Sequence, residues 1–343
     1  MKVHLNTLYV TTQQSFLAKD GEAVNVRIDG ESRLRVPLLN LGGIVCFGNV
    51  TCSPYLMEAC AQSGIAISFL TERGRFLAAV QGFTPGNVLL RREQYRRADD
   101  QAMSVGIARN IVSAKIANGR QVLLRAARDY PDAPGYSALR DAAARLARTG
   151  AQSQHAGSLD VLRGMEGDAA GDYFAVFNNL ITSQRDDFRM SGRNRRPPLD
   201  AVNALLSFLY VMLAHDARAA CESVGLDAAV GFLHRDRPGR PSLALDLMKE
   251  LRAFLVDRLV LSLINRSQVK PDGFRRDEAG GVMMDETTRK VVLAAYQQRK
   301  QDTITHPFLG EEVTVGLIVH LQARLLARHL RGDLDAYPPF VWK

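Results

Sequence analysis

The pattern of apolar residues changes near residue 90, and this change constrains the fold more than any other feature. Before it, segments such as "AVNVRID", "IAISFL" and "RFLAAVQG" are short, apolar or alternating, and separated by glycine-containing turns, which predicts strands. After it, long segments have the apolar periodicity of amphipathic helices. The sequence therefore predicts an α+β chain of two domains. A small N-terminal β-sandwich covers residues 1–90, and a larger all-α helical domain covers residues 91–343.

Helix boundary signals refine this prediction. The stretch "SPYLMEACAQSG" predicts one short helix within the β-domain, with Ser53 as N-cap, Pro54 at the first helical position and Gly64 at the end. In the second domain, one further helix is predicted to begin near Ser242. The other helical stretches are 90–128 (one helix or two), 136–151, 159–181, 199–225 and 311–333.

Composition narrows the class of protein. A hydrophobic fraction of 46% with 23% charged residues is typical of a globular chain. We find no apolar run near the ~20 residues of a membrane span and no signal peptide, and so expect a cytoplasmic protein. The four cysteines form no C-x-x-C pair, which favours buried free thiols.

The charge distribution points to an anionic partner. The net charge is +8, and most of the excess lies after residue 95. Two polar segments, 184–198 and 265–281, are rich in arginine and predicted to be exposed loops. Such loops suit phosphate contact, although a solvated surface is the more frequent explanation of a charge run. The candidate DNA contacts are Arg193, Arg195, Arg196 and Arg237.

Candidate metal ligands lie far apart in the sequence. Glu166 stands among small residues in "LRGMEGDAAGDYF", and His234 precedes a helix on which Asp246, Lys249 and Glu250 are spaced to share one face. Oxygen and nitrogen ligands of this kind bind Mn²⁺ and Mg²⁺, and a metal near arginines suits phosphoryl transfer. The same residues also fit an exposed glutamate and an ordinary helix with a polar face, and spacing alone leaves both explanations open.

Several long stretches resemble one known family. "RGMEGDAAGDYF", "RPSLALDLMKELRAFLVDRLVLSLINR" and "YPPFVWK" are similar to motifs of the CRISPR-associated Cas1 endonucleases/integrases, and the last resembles their subtype I-C branch. "LLNLGGIVCFGNVTCSPYLMEACAQSG" resembles the N-terminal β-domain of that family. The similarity runs over essentially the whole chain.

The resemblance implies a function in CRISPR adaptation. Family members dimerise through the β-domain, work with the small protein Cas2 on double-stranded and branched DNA, and insert captured DNA into a CRISPR array by transesterification. They use Mn²⁺ or Mg²⁺. Their ligands map onto Glu166, onto His234 and onto position 249, where this chain has a lysine instead of an acidic residue.

Lys249 is the residue on which the choice between an active enzyme and a weakened one depends. A protonated lysine cannot ligate a metal, and its charge repels one. Either Asp246 or Glu250 replaces the missing ligand, with Glu166, His234 and Asp246 then catalytic, or the site is impaired. The leading hypothesis is a metal-dependent DNA integrase/endonuclease. The rivals are a catalytically weakened scaffold that binds DNA and partner, and an RNA nuclease using the same chemistry.

Overall fold

The computed structural model describes residues 6–72, 74–80, 82 and 87–342. The chain divides into two compact units. The first comprises Met1–Gly86 and Leu293–Asp302, and the second comprises Asn87–Val292 and Thr303–Lys343. The sequence did not indicate that the segment Leu293–Asp302 groups with the β-rich unit.

The first unit contains two four-stranded sheets, as the predicted small β-rich domain requires. In the first sheet the strand order is β1-β5-β7-β8, with β8 antiparallel to β7 and the other neighbours parallel. In the second the order is β4-β3-β2-β6, and only β2 and β6 are parallel. The strands are β1 Asn6–Val10, β2 Phe16–Asp20, β3 Ala23–Ile28, β4 Glu31–Pro37, β5 Leu41–Phe47, β6 Thr51–Cys52, β7 Ala66–Leu70 and β8 Phe76–Val80.

One hydrophobic core joins both sheets to a short helix. Buried side chains from the first sheet, such as Ile44 and Ile67, cluster with Leu17 and Val24 from the second. Helix α1 (Pro54–Gln62) adds Leu56 to this core. Its position confirms the predicted capping, because the Ser53 hydroxyl accepts a hydrogen bond from the Leu56 N–H at 3.3 Å.

The second unit is mostly helical, in agreement with the predicted all-α domain. The stretch 90–128 forms two helices, because the Asp100 carboxylate caps a new helix by accepting from the N–H groups of Ala102 and Met103. The helices of this unit are α2 Val88–Asp99, α3 Gln101–Asp129, α4 Tyr136–Ser153, α5 Leu159–Ala175, α6 Ala201–Ser223, α7 Ser242–Leu247, α8 Arg258–Asn265 and α10 Ile318–Arg331, whereas α9 Glu286–Gln301 begins in this unit and belongs to the first unit from Leu293 onward. Two small hairpins complete it: β9 Phe274–Arg276 with β10 Val282–Met284, and β11 Thr303–Thr305 with β12 Glu312–Thr314.

Helix α3 is the central element around the candidate site. It packs against α4, α5 and the segment that follows α7. That segment is not α-helical: Met248–Leu251 is a 3₁₀ turn, and Arg252–Asp257 is π-helical. The predicted helix from Ser242 therefore begins where expected but changes its winding after Leu247.

Helix α6 is long and apolar enough to cross a membrane by length and composition, with a mean hydropathy of 1.2 in an 18-residue window. The sequence patterns alone did not predict such a segment. Within that window 56% of the residues are buried inside the protein, as in a core helix. The cysteines are free thiols, as predicted; Cys46, Cys60 and Cys221 are buried and Cys52 is half-buried.

Candidate active site

Glu166 lies on α5 between two lysines. Its Oε1 accepts a hydrogen bond from the Lys115 ammonium of α3 at 2.6 Å. The Lys249 ammonium, from the 3₁₀ turn after α7, contacts the same oxygen. The exposed fractions of the side chains are 14% for Glu166, 18% for Lys115 and 4% for Lys249. The one carboxylate of Glu166 therefore forms ion pairs with two mostly buried ammonium groups.

The pKa shifts show how strongly these charges interact. Burial alone would raise the pKa of Glu166, but the charges of Lys249 and Lys115 hold it well below its usual range. Burial lowers the pKa of Lys249 to about 8, although Glu166 opposes this shift. Glu166 is consequently an anion whose single negative charge the two ammonium groups more than balance.

His234 is oriented by Asp246. Its Nδ1 contacts Asp246 Oδ1, and Asp246 Oδ2 accepts hydrogen bonds from the N–H groups of Phe232 and Leu233 at 2.8 and 2.9 Å. Because the carboxylate accepts a hydrogen bond from the Nδ1–H, the lone pair of the neutral His234 ring is on Nε2. Asp246 thus supports the histidine, and both of its oxygens are already engaged in doing so.

The turn that carries His234 is tied to α5. Arg163 lies on α5 about one helical turn before Glu166. Its Nε donates a hydrogen bond to the Leu233 carbonyl at 2.8 Å. The positive charge of Lys249 contributes, after burial, to a lowered pKa of His234, so Lys249 lies within electrostatic range of both Glu166 and His234. Lys249 therefore links the two parts of the candidate site, since it contacts Glu166 and acts electrostatically on His234, which Asp246 contacts.

Glu250 belongs to a different cluster, contrary to the expectation that it shares a ligand face with Asp246. Its Oε1 accepts from the Tyr337 hydroxyl at 2.7 Å, and its Oε2 accepts from Gln322 Nε2 at 2.9 Å and the Phe340 N–H at 2.7 Å. These groups hold the C-terminal tail. The i, i+4 argument assumed an α-helix, and the 3₁₀ turn beginning at Met248 turns Glu250 away.

The residues present do not fit a divalent metal ion. Such a site needs three or more oxygen or nitrogen donors, and Glu166 and His234 supply two. The third expected position holds the Lys249 ammonium, and both Asp246 and Glu250 have other partners. Within residues 6–72, 74–80, 82 and 87–342 there is no group of three or more His, Cys, Asp or Glu side chains that could hold a metal.

One arginine, Arg240, lies within electrostatic range of His234. The half-buried Arg240 lies within electrostatic range of Arg237, Arg195 and Arg163, and also of Asp246. We call Arg195, Arg237 and Arg240 the arginine rim. Arg195 and Arg237 are exposed, as is Arg196 in the same loop.

Arg193 has a different position from its neighbours in that loop. Its guanidinium donates to Asn203 Oδ1 at 2.6 Å and to Ser207 Oγ at 3.2 Å, and it stacks on the Tyr210 ring with 5.5 Å to the centroid. The prediction that Arg193 contacts DNA does not fit this arrangement, because the side chain fastens the loop to α6.

Sequence reasoning missed three residues around the site. Lys115 sits in an otherwise ordinary helix, and no motif marks it as a partner of Glu166. Gln322 and Tyr337 reach Glu250 from positions more than seventy residues away.

Known proteins are similar to this chain in sequence and in fold. A family model described as CRISPR associated protein Cas1 matches residues 8–298. A protein of Chlorobaculum tepidum named CRISPR-associated endonuclease Cas1 1 is 54% identical over 343 residues, which is 100% of each chain. A protein of Rhodospirillum rubrum named CRISPR-associated endonuclease Cas1 2 is also 54% identical, over 100% of each chain.

One solved structure gives the same picture. A chain of a Cas6-RT-Cas1–Cas2 complex superposes with a TM-score of 0.82 and 25% identity over 98% of the present chain, which spans 36% of that longer chain. The present chain therefore belongs to the Cas1 family of CRISPR-associated proteins. This is the family that the sequence motifs predicted.

Proposed function

We propose that this chain works in CRISPR adaptation, where it binds DNA and takes part in inserting captured DNA into the CRISPR array. Membership of the Cas1 family and the two full-length relatives named endonucleases support this function. The proposed substrates are double-stranded and branched DNA. The proposed partners are Cas2, which is present in the matched complex, and a second copy of the chain.

The arginine rim is the observation that carries DNA binding. Arg195 and Arg237 lie within electrostatic range of Arg240, which lies within electrostatic range of His234, and each positive charge lowers the cost of bringing a polyanion there. A DNA backbone would relieve their mutual repulsion and release its own counterions. Arg240 lies within electrostatic range of His234 and Asp246, so phosphates bound at the rim would be held near His234.

DNA binding at the rim is tested by salt dependence. We predict that Arg195→Ala and Arg237→Ala each weaken binding to double-stranded DNA and reduce the slope of log affinity against log salt by about 0.9 for each phosphate that the variant no longer neutralises. Fluorescence anisotropy at several salt concentrations measures both quantities. The matched control is Arg140→Ala, an exposed arginine on α4. Equal slopes for the rim variants and the unchanged chain would remove the rim from the DNA interface.

Two candidate roles remain for the site itself. The names of the relatives favour an endonuclease, and Glu166 and His234 are residues of the types that ligate Mn²⁺ or Mg²⁺ in a metal-dependent endonuclease/integrase. The contact of Lys249 with Glu166 favours a subunit that binds DNA and partner while its own phosphodiester chemistry is weak. The geometry supports the second role better, because Lys249 stands where the third ligand is expected.

Strand transfer onto a CRISPR repeat, measured with Cas2 and Mn²⁺, distinguishes these roles. Transfer that depends on Glu166 and His234 in the unchanged chain would establish the endonuclease/integrase. DNA and Cas2 binding without transfer would establish the scaffold. Failure to bind both DNA and Cas2 would contradict the proposed function as a whole.

A further inference from the structure

We infer that the Lys249 ammonium takes the place of a divalent cation at Glu166, so that this chain neutralises its candidate site from within and excludes Mn²⁺ and Mg²⁺. The inference deepens the proposed function. It rests on that function only because the function identifies Glu166 as part of the candidate active site. Its test measures metal binding without DNA, so the two can fail separately.

Glu166 already has two cationic partners. The carboxylate contacts Lys249 directly and accepts from Lys115 at 2.6 Å, both through Oε1. A divalent ion bound to this carboxylate would lie a few ångströms from two ammonium groups. Repulsion between like charges at such separations is large in a poorly solvated site. Metal binding would therefore require at least Lys249 to leave.

Lys249 cannot leave Glu166 without a free-energy cost. Its side chain is only 4% exposed, and Glu166 is its partner. An ammonium that loses its counter-charge while it stays buried is strongly disfavoured. Lys249 has little solvent to move into, in contrast to an exposed lysine that can swing aside.

The nearby carboxylates are already engaged elsewhere. Both oxygens of Asp246 serve the His234 turn, and both oxygens of Glu250 serve the C-terminal tail. A metal ligand recruited from either would break two or more hydrogen bonds at buried positions. Substitution of the missing ligand by these two residues, which the sequence left open, has no support in this geometry.

The inference is tested by calorimetric titration of Mn²⁺ into the full-length chain without DNA. We expect no specific site in the unchanged chain. Lys249→Glu should bind one Mn²⁺ per chain at least about tenfold more tightly, because it removes a repelling charge and adds a ligand. The double variant Lys249→Glu/Glu166→Ala should lose the gained site, which would locate it at Glu166.

Lys249→Glu places a second carboxylate beside Glu166, and repulsion between the two could destabilise the fold. A second variant without this repulsion therefore serves as a control. Lys249→Gln removes the ammonium but keeps a hydrogen-bonding side chain, and it should also bind Mn²⁺ more tightly than the unchanged chain. The electron paramagnetic resonance signal of free Mn²⁺ gives the same comparison independently. One tight Mn²⁺ site in the unchanged chain, abolished by Glu166→Ala, would overturn the inference. Equal affinities in the unchanged chain and the folded Lys249 variants would also overturn it.

Discussion

Glu166 is the counter-charge of two buried lysines, and its role in stability follows from that position. Glu166→Ala leaves the ammonium groups of Lys115 and Lys249 without a carboxylate. Because removal of one member of a buried ion pair leaves an uncompensated charge, we predict that the free energy of unfolding falls by about 3–5 kcal/mol. Urea denaturation measures this decrease.

Two further variants separate the effect of charge from that of packing. The double variant Glu166→Ala/Lys249→Met should recover part of the lost stability, since it removes one of the orphaned charges. Glu286→Ala breaks an exposed pair with Lys290 and should change stability by less than about 1 kcal/mol. A Glu166→Ala variant as stable as the control would contradict the described pairing. If the predicted decrease is found, the fold tolerates the loss of Glu166 less well than it would if Glu166 were only a metal ligand.

Glu250 predicts a pH dependence of stability. Burial raises its pKa to about 8, although the Phe340 N–H, Tyr337 and Gln322 lower it. The folded chain therefore holds this proton more tightly than the unfolded chain, whose carboxyl has its usual pKa near 4.5. The contribution to stability is fully present below that pH and is lost as pH rises towards about 8, by about 1.4 kcal/mol per unit of pKa difference.

Removal of the ionisable group tests this assignment. Glu250→Gln cannot ionise, so the decline in its free energy of unfolding between about pH 4.5 and 8 should be smaller than in the unchanged chain. Urea denaturation across this range gives both curves. Glu312→Gln, at an exposed position, is the control and should leave the decline as it is. Parallel curves for Glu250→Gln and the unchanged chain would show that Glu250 does not titrate in this way.

At the scale of elements, the turn before α7 depends on a glycine. A Cβ added to Gly231 would lie 2.6 Å from Asp246 Oδ2 and 2.9 Å from the backbone carbonyl carbon of Ser242. The backbone atom cannot move aside as a flexible side chain would. We predict that Gly231→Ala lowers the free energy of unfolding by about 1–3 kcal/mol and disturbs the contact of Asp246 with His234.

A second glycine provides the matched comparison. A Cβ at Gly164 on α5 would have nothing within 4 Å, and alanine is the better helix former. Gly164→Ala should therefore be neutral or stabilising by up to about 1 kcal/mol in the same denaturation experiment. If the two substitutions have equal effects, close approach at Gly231 is not what limits that turn.

Sequence patterns predicted the elements better than their winding. The caps at Ser53 and the periodicity of α4 and α6 are local signals, and the structure has these helices where they were expected. The change from α to 3₁₀ and then π winding after Leu247 has no such local signal. The rewound segment packs against α3, and Glu250 within it accepts a hydrogen bond from the C-terminal tail, so its partners are distant in sequence. The predicted face shared by Asp246 and Glu250 was wrong for this reason.

At the scale of the whole molecule, the family and the two-part fold could be read from the sequence, and Glu166, His234 and Lys249 could be selected as one neighbourhood. The partner of Glu166 on α3, Lys115, could not, because its position opposite Glu166 follows from helix packing. Similarly, the loop arginines looked alike, and only the structure separates the fastened Arg193 from the exposed Arg195 and Arg196.

The central proposal is that Lys249, through its contact with Glu166, limits the chemistry of this site in a chain of the Cas1 family. The most direct test is the rate of strand transfer into a CRISPR repeat, with Cas2 and Mn²⁺, for the unchanged chain, Lys249→Glu and Lys249→Glu/Glu166→Ala. We predict transfer at least about tenfold faster for Lys249→Glu than for the unchanged chain, at equal DNA affinity, and none for the double variant. An unchanged chain that transfers DNA as fast as Lys249→Glu would contradict this limit.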